Sequence, residues 1–310
     1  MGGIKETFRR QLFRVPFFGA SYRRLYESAE RLHKINPGDY SSAIPSPRDI
    51  ERESTESFEI HDDSLAAIPL RTTEQLSLLN ELTPIIARWR SGLSSADRYR
   101  VDNDWFQFTD AAVLHAMMRL VRPQRVIEIG SGYSSCVMLD TLESDPDLNC
   151  ELTLIEPAPE RLHSRLRPAD LASVEHLHCE LQAVPMERFA ALRDGDFLFV
   201  DSSHVSKCGS DVNRIIHHIL PSIAAGVVVH FHDIFFPFRY PSSLLDNGHY
   251  WNESYILRAF LEFNDAFELV IWNDYLRQRH GEALAAAVPS DHSDIAASFW
   301  MRRVTAPTTG

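Results

Sequence analysis

The chain has 310 residues, of which 44% are hydrophobic and 24% are charged, and its formal net charge is −12. This length is enough to bury one large core, and the composition is that of a globular protein. The acidic balance argues against a nucleic-acid partner, because phosphates would be repelled by the surface. No apolar run is long enough to cross a bilayer, so no transmembrane segment is predicted.

Residues 1–34 are basic, and several phenylalanines are interleaved with the arginines and lysines. We predict one or two helices there. They would pack on their own domain or on a second subunit, and the second case would give a homo-oligomer. The alternative is docking on an acidic partner or a membrane face. The start of the chain resembles a myristoylation signal, but Glu6 stands where Ser or Thr is required.

Four cysteines are scattered along the chain without a CxxC pair: Cys136, Cys150, Cys179 and Cys208. This spacing favours free thiols over a disulfide frame or a zinc site. Residues 1–14 also lack the continuous apolar core of a secretion signal. Both observations predict a cytoplasmic protein.

The first third of the chain predicts helices and loops. Residues 36–70 contain closely spaced Pro, Gly and charged residues and are expected to form a loop. A helix is predicted from about Thr72, with Pro84 expected to kink or split it. A second helix is predicted from an N-cap at Thr109 to Val121. Together these segments form a predicted helical cap over residues 1–110, ahead of a domain over residues 111–310.

From Arg125 onward, short apolar runs alternate with helical segments. The predicted strands are Arg125–Ile129, Leu152–Glu156, Val174–Cys179, Phe197–Asp201, Gly226–His232, Phe267–Trp272 and Phe299–Val304. This alternation predicts an α/β fold with a doubly wound, Rossmann-like, mainly parallel seven-stranded sheet. Such sheets bind ligands at the carboxyl ends of their strands.

The first predicted strand ends in the turn Gly130-Ser131-Gly132. Both glycines are expected to permit positive φ and to let a ligand approach the backbone. Glu128 lies near the end of the same buried strand and needs a partner, which a cationic ligand would supply. Glu156 ends the second strand, at the position that holds a ribose diol in nucleotide-binding folds.

Two cofactors fit a glycine turn of this kind. A nicotinamide dehydrogenase is disfavoured, because Ser135 replaces the third glycine of the dinucleotide fingerprint and Glu128 would repel a pyrophosphate. S-adenosylmethionine (SAM) has no phosphate and carries a sulfonium and an ammonium group. An acidic residue beside the turn therefore favours SAM.

Glu128 to Gly132, Glu156 and Asp196 to His204 together resemble the motif series of class I SAM-dependent methyltransferases. Further segments are similar to a bacterial small-molecule subgroup of that family: Asp201–Val205, Ser210–Asn213, His230–Pro237 and Trp251–Glu253. The resemblance covers about residues 95–275. It implies an antiparallel last strand and transfer of a methyl group to an oxygen or nitrogen of a small polar molecule.

The resemblance also implies roles for individual residues. Those implied to bind the cofactor are Glu128, Gly130, Ser131, Gly132, Tyr133, Glu156, Asp201 and, at adenine, Gln182 in preference to Glu180. Those implied to bind the acceptor are Tyr99, Asn103, Phe106, Tyr240, Trp251 and Asn252. For the aromatic residues, the alternative is packing of the cap helices on the sheet.

Three histidines follow or end predicted strands four and five. His204 is expected to be the base or the acceptor anchor, since histidine can remove a proton near neutral pH, with His232 and Asp233 as further catalytic residues. His230 alternates with His232 on one strand face and is more typical of a core histidine.

A divalent metal ion is a less favoured alternative. Some similar O-methyltransferases bind a divalent ion after strands four and five, where this chain has Asp201, His232 and Asp233. An imidazole, however, departs from the all-oxygen ligand set of Mg²⁺. Two other functions are also compatible with the predicted fold. One is an attack within the cofactor that releases methylthioadenosine, and the other is a non-catalytic binding module.

Overall fold

The structure is a computed structural model that describes residues 37–56, 65–290 and 294–305, together with Ser21, Arg24 and Ile35. The basic segment 1–34 therefore lies almost wholly outside the described residues, and its predicted helices stay a prediction. The chain divides into two compact units, Met1–Phe58 and Glu59–Gly310. Within the described residues, no helix is long and apolar enough to cross a membrane.

In the first unit, helix α1 spans Pro47–Glu56, so the prediction of a continuous loop over residues 36–70 is wrong. Ser46 and Asp49 cap the helix start reciprocally. The Asp49 carboxylate accepts hydrogen bonds from the Ser46 amide (3.0 Å) and hydroxyl (2.6 Å), and the Asp49 amide donates to Ser46 Oγ (3.2 Å). Pro47 suits the first helical position, where no amide hydrogen is needed.

The second unit contains a seven-stranded sheet, as predicted. Its strands are β1 (Arg125–Ile129), β2 (Glu151–Ile155), β3 (Glu175–Leu177), β4 (Phe197–Val200), β5 (Val228–Phe231), β6 (Phe267–Trp272) and β7 (Phe299–Arg303). The order is β3-β2-β1-β4-β5-β7-β6, and β7 runs antiparallel to both of its neighbours. The other pairs are parallel, and apolar side chains bury both faces.

The sheet register brings three strand ends level. Ile129 of β1 pairs with Ile155 of β2 on one side and with Val200 of β4 on the other. The residues that follow these strands therefore lie side by side: Gly130, Glu156 and Asp201. This is the edge at which ligands bind in doubly wound sheets.

Short helices surround the sheet. After α1 they are α2 (Thr72–Gly92), α3 (Phe108–Val121), α4 (Tyr133–Ser144), α5 (Glu160–His163), α6 (Asp170–Ser173), α7 (Met186–Ala190), α8 (Asp211–Arg214), α9 (Leu220–Ser222), α10 (Ser242–Asp246), α11 (Glu253–Glu262), α12 (Asn273–Arg279) and α13 (Gly281–Ala287). A π-helical segment, Ile215–Ile219, joins α8 to α9.

Two helix predictions need correction. Helix α2 continues through Pro84, so the proline does not split it. Helix α3 starts at Phe108, and Thr109 is not its N-cap: the amide and hydroxyl of Thr109 both donate to Asp294, at 2.9 Å each. The proposed cap boundary at residue 110 falls inside α3 and stays a prediction.

Candidate active site

The turn after β1 requires glycine at one position. Gly130 has a φ of +81°, and a Cβ built there would stand 1.8 Å from the backbone oxygen of Asp201. Gly132 has a φ of −175°, which any residue adopts, so the prediction of positive φ at Gly132 is wrong. Gly130 is therefore the residue that lets the β1 and β4 ends approach each other.

Glu128 lies beneath this turn, fully buried. Its carboxylate accepts hydrogen bonds from the hydroxyls of Ser134 (2.6 Å) and Ser135, and the Ser135 hydroxyl accepts one from the Gly132 amide (3.0 Å). Burial raises the pKa of Glu128 to about 7 despite these bonds. Ser135, at the place of the missing third glycine, thus ties the turn to Glu128. The contact of Glu128 with a cofactor ammonium stays a prediction.

Glu156 faces an open cleft of about 470 Å³ whose walls include Gly130, Gln182 and Asp201. Its two carboxylate oxygens accept hydrogen bonds from the amides of Ser131 (3.1 Å) and Ala158 (2.7 Å). Each oxygen keeps a lone pair for a ribose hydroxyl.

The cleft has two further features that fit a nucleoside-type cofactor. The Ser131 hydroxyl is buried and has no hydrogen-bond partner among the described residues. Gln182 reaches across the other end of the cleft and donates to the carbonyl of Gly209 (2.7 Å), with Glu180 beside it. Gly130 of the turn, Glu156 and Gln182 therefore line one continuous space. Tyr133 opens α4 at the turn.

His204 is clamped by three carboxylates. Its Nδ1 lies 2.9 Å from Glu253, and its Nε2 lies 3.3 Å from Asp201 and 3.5 Å from Asp233. Burial alone would lower the pKa of His204, but hydrogen bonds to Asp201 and Glu253 raise it to about 10. At neutral pH the side chain is therefore an imidazolium, which can donate a hydrogen bond but cannot accept a proton.

The backbone at this clamp is held in an uncommon conformation. His204 has a φ of +58° and Asp233 a φ of +57°, in the left-handed region that residues other than glycine rarely adopt. The His204 amide donates to the Ser202 hydroxyl (3.0 Å), and its carbonyl accepts from the amides of Asn252 (3.0 Å) and Glu253 (3.1 Å). Such strain is typical of functional sites, where surrounding bonds maintain it.

His232 lies on the other side of the two aspartates. Its Nδ1 is 3.7 Å from Asp201 and 3.6 Å from Asp233, and its Nε2 is 3.5 Å from Asp110. Burial opposes the charged form, but these carboxylates raise the pKa of His232 well above its usual value. Two imidazolium groups and the aspartates between them therefore form one charged cluster.

His230 is a core histidine, as its position on β5 predicted. It is fully buried, its Nε2 lies 2.8 Å from the Ser298 hydroxyl, and its ring stacks on Phe199 at 3.8 Å. Burial keeps its pKa well below the usual value, so it stays neutral.

The donor atoms of Asp201, His204 and Asp233 lie within 4.8 Å of one another and could hold a metal ion. The set differs from the predicted one, because His204 takes the place given to His232. Two carboxylates and an imidazole suit a divalent cation softer than Mg²⁺. Such an ion would have to displace the proton of His204.

The predicted acceptor residues before α3 mostly shape a loop. The Tyr99 hydroxyl donates to the Phe106 carbonyl (3.0 Å), and the Asn103 amide group binds the carbonyls of Arg100 and Phe106. Phe106 itself is buried, with its ring 5.2 Å from that of His232. Phe106 is therefore the member of this group that contacts the charged cluster.

The predicted acceptor residues after β5 divide in the same way. The Tyr240 hydroxyl accepts from the Ser254 amide (3.0 Å), and the Asn252 side chain holds the amide of Ser206 (2.6 Å). The Trp251 ring lies 4.5 Å from the His204 ring. Trp251 thus packs against the clamp, while the other two position the loops around it. Their roles toward an acceptor stay predictions.

The sequence prediction missed two buried carboxylates, Glu253 and Asp110. Asp110 accepts hydrogen bonds from the amides of Ala297 (2.8 Å) and Ser298 (3.0 Å) and from the Asn273 side chain (2.8 Å). Both residues lie in the first turn of a helix, where an acidic residue usually only complements the helix dipole. Both had a sequence signal, because Glu253 ends the Trp-Asn-Glu segment that is similar to the family and the same resemblance reaches back to Asp110.

Residues 127–234 match the family model described as a methyltransferase domain. This segment runs from β1 past the end of β5 and contains the glycine turn, Glu156, Asp201, His204 and Asp233. This part of the chain is therefore similar to a methyltransferase domain.

Other proteins resemble parts of the chain. A protein of Archaeoglobus fulgidus described as uncharacterized is 29% identical over 128 residues, which are 40% of this chain and 58% of that protein. The O-methyltransferase TomG from Streptomyces achromogenes, solved with SAM, is 16% identical over 73% of this chain and 98% of its own (TM-score 0.43). The Podospora anserina methyltransferase PaMTH1, bound to S-adenosylhomocysteine, is 13% identical over 86% of this chain and 100% of its own (TM-score 0.42).

Proposed function

We propose that the enzyme methylates an oxygen or nitrogen atom of a small polar molecule held against the His204 clamp. The observation that carries this proposal is that Asp201 contacts both the glycine turn and the His204 clamp. Its backbone meets Gly130 in the cofactor turn, and its carboxylate lies 3.3 Å from His204. A methyl group carried by a cofactor in the cleft would therefore lie beside the charged cluster.

In the proposed mechanism, the protonated His204 binds the acceptor and a neighbouring carboxylate accepts the proton. Glu156 would hold the ribose of SAM, and Gly130, Ser131 and Gly132 its amino-acid part. The His204 imidazolium would donate a hydrogen bond to the acceptor and orient its lone pair toward the methyl group. Asp233, whose carboxylate lies 3.5 Å from His204 Nε2, would take the proton as the new bond forms. The products would be S-adenosylhomocysteine, the methylated acceptor and a proton.

A metal-assisted reaction is the second candidate, because Asp201, His204 and Asp233 present three ligand atoms. A divalent cation bound there would polarise an acceptor oxygen and favour its deprotonation. The melting temperature measured with Mn²⁺ and with EDTA distinguishes the metal-free reaction from the metal-assisted one. A rise in melting temperature with Mn²⁺ that Asp233→Asn abolishes would support the metal.

Product analysis tests the proposed function. The enzyme is incubated with SAM and a panel of small hydroxy and amino compounds, and S-adenosylhomocysteine and methylthioadenosine are separated by chromatography. We expect S-adenosylhomocysteine, in amounts equal to the methylated product. Methylthioadenosine alone would favour attack within the cofactor, and a melting temperature unchanged by SAM would favour a non-catalytic module.

We also propose a homo-oligomer in the cytoplasm. The support is the basic, phenylalanine-rich composition of residues 1–34 and the four cysteines, none of which is paired in a disulfide. Sedimentation of the full chain with and without residues 1–34 tests the oligomer. A sedimentation coefficient that corresponds to one chain in both cases would contradict it.

A further inference from the structure

An arginine pair lies beside the glycine turn, on the segment that follows β2. Arg161 lies in α5, and Arg165 follows four residues later in the turn after that helix. The Arg161 guanidinium stacks on the ring of Trp105 at 3.5 Å, and the Arg165 guanidinium lies 5.3 Å from the ring of Tyr133. Both aromatic residues flank the cofactor turn, Tyr133 directly after Gly132 and Trp105 in the loop before α3.

Both arginines keep their charge uncompensated. Within the described residues, neither guanidinium forms an ion pair with a carboxylate, and Arg165 Nε is buried without a hydrogen-bond partner. The contrast with nearby arginines is clear, since Arg98 and Arg167 both pair with Glu143. A buried donor without a partner is costly, which favours an anionic ligand that supplies the missing acceptor.

The side chain of Arg161 passes close to the turn. Arg161 Cδ lies 3.8 Å from the position that a Cβ on Gly132 would take, so the arginine stem passes directly over the turn. In the proposed function, this turn holds the amino-acid part of SAM. That part carries one anionic group, the carboxylate.

We propose that Arg161, held over the turn by Trp105, binds the carboxylate of SAM, and that Arg165 adds positive charge behind it. A guanidinium forms two parallel hydrogen bonds with a carboxylate, and stacking on an aromatic ring keeps its plane fixed. The pair would thus distinguish SAM and S-adenosylhomocysteine from adenosine compounds that lack the carboxylate. The inference rests on the proposed function.

Calorimetric titration with two ligands tests it. S-adenosylhomocysteine and its decarboxylated analogue differ only in the carboxylate. For the wild type, we expect the analogue to bind about tenfold more weakly, the cost of one charge-assisted pair. In Arg161→Met, the two affinities should agree within about twofold. Lys207→Met removes a positive charge at the other end of the cleft and should keep the tenfold preference.

Each outcome has one meaning. An unchanged preference in Arg161→Met would overturn the carboxylate role and leave the proposed function intact. Failure of the wild type to bind S-adenosylhomocysteine at all would overturn the proposed function itself. Should Arg161→Met not fold, Trp105→Leu offers a second test, because loss of stacking should reduce the preference without touching the turn. An unchanged preference in that variant would also contradict the proposal.

Discussion

At the scale of single residues, the site depends on carboxylates that hold histidines in one charge state. Glu253 is fully buried, and its two oxygens accept hydrogen bonds from the Ser202 hydroxyl (2.8 Å) and from His204 Nδ1 (2.9 Å). Glu253 binds Nδ1, whereas Asp201 and Asp233 lie at Nε2. We therefore expect Glu253 to position His204 and not to contact an acceptor. Its removal should alter the chemistry and leave cofactor binding almost intact.

Glu253→Gln should lower turnover by about tenfold to a hundredfold, because His204 loses a charged partner and its orientation. The pKa of His204 should fall, since one of the carboxylates that raise it becomes neutral. Steady-state kinetics and NMR titration of the imidazole measure both effects. Glu262→Gln, at the solvent-exposed end of the same helix, is the matched control; equal losses in both variants would refute the positioning role.

Glu128 should make stability depend on pH in an unusual direction. Its pKa is about 7 when folded, against an ordinary value of 4.5 in the unfolded chain. Between these values, the folded protein keeps the proton and the unfolded chain loses it. This carboxyl group therefore lowers the free energy of unfolding as pH rises from 4.5 to 7, by at most about 1.4 kcal/mol per pH unit.

The measurement is urea unfolding of the wild type and Glu128→Gln at pH 5 and at pH 7. Glutamine cannot titrate, so the stability lost by the wild type over this range, relative to the variant, belongs to Glu128. Parallel pH dependence of the two proteins would show that the carboxyl group is not perturbed by burial.

At the scale of elements, a buried arginine joins the loop before α3 to two helices. Arg98 donates to both oxygens of Asp170 in α6 (2.8 and 2.6 Å) and to Asp140 in α4 (2.8 Å). Hydrogen bonding to Asp170 raises the pKa of Arg98, and it is charged at any relevant pH. This loop also carries Trp105. Arg98 therefore fixes the loop on which the proposed binding of the SAM carboxylate by Arg161 depends.

Arg98→Met should lower the free energy of unfolding by about 3–5 kcal/mol, because it leaves the buried Asp170 and the partly buried Asp140 without this cation. Arg188→Met breaks a half-exposed pair with Glu175 and should cost no more than about 1 kcal/mol. Denaturant unfolding of the two variants supplies the comparison. A loss of similar size in both would mean that the Arg98 network contributes little.

At the scale of the whole molecule, the residues assigned to the reaction fall in the unit Glu59–Gly310. This unit holds the entire sheet and the described hydrophobic core. A fragment that starts at Glu59 should therefore bind S-adenosylhomocysteine with an affinity within about twofold of the full chain. Calorimetry on both proteins measures this, and a fragment that folds but binds tenfold more weakly would show that residues before 59 contribute to the site.

Local sequence patterns were enough to predict the sheet and the glycine turn after β1, and to indicate a methyltransferase. Apolar strands that alternate with helices predict a doubly wound sheet, and the glycines at Gly130 and Gly132 with the acidic Glu156 follow its strand ends. These signals are local, because strand period and turn chemistry depend on neighbouring residues. Helix α1 was missed although its capping pair is also local, since proline and charged residues nearby suggested a loop.

The electrostatics of the site, by contrast, depend on three-dimensional packing. Asp110 and Glu253 come from distant helices to meet His232 and His204, and their carboxylates help to raise the pKa of both histidines. Sequence spacing carries no information on such contacts, and a pKa depends on burial and on charges a few ångströms away. For the same reason, the sequence left His204 as either the base or the acceptor anchor. The raised pKa of the folded protein argues against the base, and the role toward an acceptor stays a prediction.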